Sequence, residues 1–191
     1  MNKKLMSLIA IVLVVVVACK EAAPAEQSAA VEQSASPDYA AFDKKIAVIR
    51  SFFKAHCDED LEAQRSLLSD TLEWSPPNYN GNEWLGKEDF LAALKGYHDD
   101  FENIKYAEGI VMPDSTANGY WSGSVFPEAN ASIDPDVIRV YGTWTATHSA
   151  SGKEVGVKFF SLSSVNEDGK IVQASDYFDV NGLAAQIAAQ E

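Results

Sequence analysis

The apolar positions of this chain change their spacing three times, and each change predicts a different kind of segment. Leu5 to Ala18 is an almost unbroken apolar run of about 14 residues, interrupted by Ser7 and preceded by Lys3 and Lys4. A membrane-crossing helix needs roughly 20 such residues, so a basic start with a short apolar run predicts a secretory leader over residues 1–18. From Glu21 to Pro37 alanine, serine, glutamate, glutamine and proline dominate. Such a composition offsets little of the entropy lost on ordering, which predicts an extended tether over residues 19–37.

Beyond Asp38 the spacing becomes helical. Phe42, Ile46, Ile49 and Phe53 recur at three- and four-residue intervals behind a capping Asp38, the signature of one buried helix face. Asp58-Glu59-Asp60 breaks it, and Leu61, Gln64, Leu67 and Leu68 predict a second, shorter helix. Thr71–Trp74 reads as extended, Asn78–Gly86 as a loop, and Phe90, Leu94, Tyr97 and Phe101 as the inner face of a third helix. The second half alternates instead. Ile104–Met112, Tyr120–Phe126, Val137–Thr147, Val155–Val165 and Ile171–Val180 read as strands, with glycine-bearing hairpin turns at Ser149–Lys153 and Asn166–Lys170. The stretch to Pro135 reads as a surface excursion, and Leu183–Ala189 as a short closing helix. Three helices followed by a run of antiparallel strands indicate an α+β fold over residues 38–191, helices against one curved sheet.

Charge and cysteine content narrow the function classes. A formal net charge of -13 disfavours nucleic acid and anionic headgroups as partners. With two cysteines, and Cys19 at the end of the leader, Cys57 has no partner for an internal disulfide and reads as a half-buried helix residue. Val16-Val17-Ala18-Cys19 resembles the bacterial lipobox. That resemblance implies lipid on Cys19, cleavage before it, and a membrane as partner through several acyl chains. Lys20, in place of an inner-membrane-retaining aspartate, implies passage to the outer membrane.

Several motifs in the domain together resemble the nuclear transport factor 2-like superfamily, and within it the SnoaL-like branch. They are Phe52-Phe53 before the acidic break, Leu67-Leu68-Ser69-Asp70, Glu73-Trp74, Gly86-Lys87-Glu88-Asp89-Phe90, Trp144, Gly152-Lys153, Asp168-Gly169-Lys170-Ile171, Asp176-Tyr177-Phe178-Asp179 and Leu183. The resemblance covers about Asp38 to Gln186 and implies a cone, a strongly bent sheet around helices with a pocket at the wide end. Relatives include isomerases, cyclases and bare binding modules, and some dimerise through the exposed sheet face.

The resemblance also sorts candidate chemistry. The ketosteroid-isomerase base would fall at Trp74 or Ser75 and its protonated aspartate near Ser161, so neither carboxylate is present. Asp176 matches the acid/base aspartate of SnoaL-type cyclases, with Ser175 in place of the preceding aromatic residue. Trp74, Trp84, Tyr97, His98 and Tyr177 are the candidate pocket residues. His56 and His148 stand apart in sequence without zinc-ligand spacing, and no phosphate loop, nucleophile elbow or redox pair appears. No metal or cofactor is expected. Three readings stay open: a lipid-anchored domain binding a small apolar ligand or a partner protein, an isomerase or cyclase using Asp176 as acid/base, and an interaction subunit forming a homodimer through its exposed sheet face.

Overall fold

The computed structural model describes residues 39–123 and 136–189. The leader, Cys19, the tether, the Asp38 cap, the strand end at Phe126 and most of the excursion to Pro135 lie outside the described residues.

Helix α1 (Ala40–Cys57) buries Ile46, Ile49, Phe52 and Phe53, the face its spacing requires. Helix α2 (Leu61–Leu67) begins where the Asp60 carboxylate accepts from Ala63 N–H at 2.8 Å. Its sole fully buried residue is polar: Gln64. Strand β1 (Leu68–Ser75) follows directly and is three residues longer at its start than the sequence suggests. Helix α3 (Lys87–Asp100) buries Phe90, Leu91 and Leu94 and opens with Gly86 N–H donating to Asp89 at 3.2 Å.

The strands run β2 (Phe101–Glu108), β3 (Ile110–Met112), β4 (Ser115–Ala117), β5 (Tyr120–Gly123), β6 (Val137–His148), β7 (Glu154–Val165) and β8 (Ile171–Tyr177). The expected strand from Ile104 to Met112 begins at Phe101 and is cut in two. Gly109, at φ 108°, ends β2 and turns the chain into a separate β3–β4 hairpin. The expected strand from Ile171 to Val180 also stops early, at Tyr177. There Asp179 accepts from Gly182 N–H at 2.7 Å and starts helix α4 (Val180–Ala188). Both predicted hairpin turns form, with Gly152 at φ 69° and Gly169 at φ 70°.

In the main sheet the order is β1-β8-β7-β6-β2, with β5 also pairing β6. The pairs β2–β6, β5–β6, β6–β7 and β7–β8 are antiparallel. β1 departs from that pattern: it pairs parallel to β8, Trp74 opposite Ala174 and Ser75 opposite Ser175. A parallel pair needs a long crossover connection, and here most of the domain supplies it. The helices pack on one face of this curled sheet, where Phe52, Phe53, Trp74, Phe90, Phe159 and Ile138 meet in one core.

Candidate active site

A cavity of about 130 Å³ lies between the inner face of the sheet and helices α1, α3 and α4. Strand alternation decides what reaches it, since residues two apart share a face. On β8 the inward positions are Ala174 and Asp176; on β7 they are Phe159, Ser161 and Ser163. Ser161 lies directly opposite Asp176 across the β7–β8 ladder. Trp74 enters from β1 beside them. From the helices come Ile49, Phe52, Phe53 and His56 on α1, Phe90, Leu94 and Tyr97 on α3, and Leu183 on α4.

Asp176 is the single carboxylate among the described lining residues. Trp74 Nε1–H donates to its Oδ2 at 2.9 Å, which fixes the direction of the carboxyl. The Trp74 indole is itself stacked on Phe90, centroids 4.7 Å apart. The Asp176 side chain is largely enclosed by protein and lines the cavity, while the residue as a whole keeps partial exposure. Burial therefore raises its pKa from 3.8 to about 6, against the opposing pull of the Trp74 and Ser161 donors. Tyr97 is close enough to feel that charge: burial first, and Asp176 second, hold its phenol above the usual range.

Histidine supplies the second polar element of the cavity. His56 lines it, edge-on to Trp144 at 5.1 Å and to Tyr97 at 6.4 Å between ring centroids. Burial, helped by neighbouring His98, depresses His56 to about 4. His98 does not line the cavity but holds His56 from behind, Nε2 to Nδ1 at 2.8 Å.

The structure thus brings together Asp176, Trp74 and Tyr97 from the sequence candidates and sets His98 one residue back. Trp84 and Tyr177 are elsewhere, 49% and 52% exposed. Tyr177 follows Asp176 on the same strand and must face the other way, where its ring lies tilted against Phe160 with centroids 5.6 Å apart. His56 was missed, although the α1 stripe signals it: it lies three residues beyond Phe53, in step with the apolar face. Among the described residues no three His, Cys, Asp or Glu side chains come together as a metal site.

No protein-family profile matches the sequence, and no functionally curated protein does either. Solved structures do match. A nuclear transport factor 2-like protein of unknown function from Burkholderia pseudomallei superposes with TM-score 0.53 at 18% identity, covering 76% of this chain and 98% of its own. The fold is the nuclear transport factor 2-like one. Two further structures sharing it are a candidate polyketide cyclase from Xanthomonas campestris (TM-score 0.57, 11% identity, 76% and 98% covered) and a candidate SnoaL-like polyketide cyclase from Shewanella denitrificans (0.53, 10%, 76% and 98%). Identities this low establish the nuclear transport factor 2-like fold and leave the chemistry to the site itself.

Proposed function

We propose that the domain binds a small, largely apolar ring in this cavity and exchanges a proton with it through Asp176, in an isomerisation or ring-closure reaction. One observation carries the reading: a carboxyl held by Trp74 on a largely apolar wall, its pKa raised to about 6. A group poised near the operating pH serves as both proton acceptor and donor. Apolar cavities of about 150 Å³ admit one benzene ring, so a cavity of about 130 Å³ has room for at least a single ring. The candidate cyclases that share the fold support the reaction class.

Asp176→Asn separates this reading from plain binding, which the presence of just one lining carboxylate favours. Hydrogen–deuterium exchange at the α-carbons of cyclohexanone in D2O, followed by proton NMR, should proceed above the buffer rate with the native chain. It should fall by about 10²-fold in the variant, the usual scale for losing a general base. Equal rates in the two proteins, with cyclohexanone bound, would leave a binding module.

The second part of the proposal is the address. The domain is carried on a lipidated Cys19 at the outer membrane, with residues 19–37 as its tether. Support comes from the sequence of residues 1–20.

A further inference from the structure

Asp176 leaves a second titratable pair at the cavity unused. His56 ends the inner stripe of α1 and His98 stands on the last turn of α3, their rings 4.7 Å apart and tilted by 32°. A hydrogen bond between two imidazoles requires one N–H and one bare nitrogen, so the tautomer of either ring dictates that of the other. With the shared hydrogen on His98 Nε2, neutral His56 carries its own hydrogen on Nε2. With it on His56 Nδ1, His56 Nε2 is a bare acceptor.

The surroundings differ sharply on the two sides. His56 faces Tyr97 and Trp144 at the cavity. From α2 it faces the fully buried Gln64, whose carboxamide completes no hydrogen bond, yet stands near enough to favour a protonated ring. His98 is less enclosed and senses the charges of Glu59, Asp99 and Lys95. One ring therefore lines the cavity and the other reaches toward the surface.

We propose that His56 is the second proton-transfer group of the cavity and that His98 connects it to solvent as a relay. The proposal rests on the Asp176 reading, because both groups act on the same bound molecule. In the delivering direction His98 takes a proton from water on Nδ1, passes its Nε2 proton to His56 Nδ1, and His56 releases its Nε2 proton to the guest. One proton has then crossed from solvent to guest and both rings are neutral again, each with hydrogen on Nδ1. The pair now stands ready to run the same steps backwards, accepting a proton at His56 Nε2. Burial keeps His56 from holding positive charge at rest, which suits a conduit better than a reservoir.

The test uses the full chain in detergent with cyclohexanone as probe. His98→Gln keeps a side chain able to hydrogen-bond His56 but unable to pass a proton through itself. It should slow deuterium incorporation about tenfold, on the lower side of general acid–base effects, with probe affinity within twofold of native. His56→Gln should slow it at least as much. A native rate and native pH profile in His98→Gln would overturn the relay. If the native chain exchanges no deuterium into this ketone, the Asp176 reading fails for that probe, and nitrogen-15 spectra of the imidazoles judge the pair directly. Coupled tautomers that shift together when cyclohexanone binds support it; two rings titrating independently and indifferent to the probe overturn it.

Discussion

Asp176 is held at a cost that its own titration exposes. Its pKa is raised from 3.8 to about 6, so the folded state binds that proton more tightly than the unfolded chain does. The contribution to stability is fully present below about pH 4 and is lost as pH climbs through 6. Asp176→Asn, which keeps an oxygen for the Trp74 N–H, should therefore stabilise the domain at pH 7–8 by about 2–3 kcal/mol, at roughly 1.4 kcal/mol per pKa unit. The gain should vanish near pH 4, as paired denaturant melts at the two pH values will show. Trp74→Phe acts in the opposite sense on the proton. Removing the donor that favours the ionised form should push the Asp176 pKa above 6, seen as an upward-shifted titration of its carboxyl carbon by NMR. At this scale the sequence offered residue types but not facing. Asp176 and Tyr177 adjoin on one strand and cannot both line one cavity, and only the ladder to Ser161 reveals which of them looks inward.

Among the elements, α4 is the part of the wall with least burial of its own. None of its residues is buried, and Leu183 reaches the cavity from it. Gln186 fastens it, accepting from Gly156 N–H at 2.9 Å and donating to Gly156 C=O at 3.0 Å; Lys153 Nζ adds a bond to Ile187 C=O at 2.9 Å. The two bonds from the Gln186 side chain to the Gly156 backbone contribute about 0.5–1.5 kcal/mol each. Gln186→Ala should thus lower amide-exchange protection across α4 by about tenfold while leaving β6 and β7 untouched. Uniform loss of protection would mean that α4 is part of the global core instead. Except for Leu68 and Phe101, which open β1 and β2 instead of closing helices, the helix stripes and both hairpins were legible from periodicity and turn glycines. The start of α4 was not, because Tyr177-Phe178-Asp179-Val180 alternates like a strand, and only the Asp179 cap declares the change. Gly109 was similarly silent: a lone glycine in an alternating run marks a bend only once its positive φ is seen.

For the whole molecule, occupancy and address are separable. A single-ring guest at about 100 times its Kd should raise stability by about 2.7 kcal/mol, read as an upward shift in Tm that Asp176→Asn diminishes for guests bearing a carbonyl. Lipidation is tested by growth with labelled palmitate. Native chain should carry the label and sediment with outer membranes, whereas Cys19→Ala should carry none and appear in the soluble fraction. Label on both proteins would remove Cys19 as the anchor. The helix-then-strand order was readable from the sequence at this scale. The partner of β1 was not, since nothing local marks a strand whose neighbour lies a hundred residues away.

That partnership has a temporal consequence. The Trp74 to Asp176 bond spans 102 positions, and among the described residues β1 has only the Trp74–Leu85 bridge until β8 arrives beside it. Contacts so distant along the chain are slow to close. A polypeptide threaded through a membrane N-terminus first would thus travel with β1 lacking its sheet neighbour, and the binding chamber would take shape only after β8 has emerged.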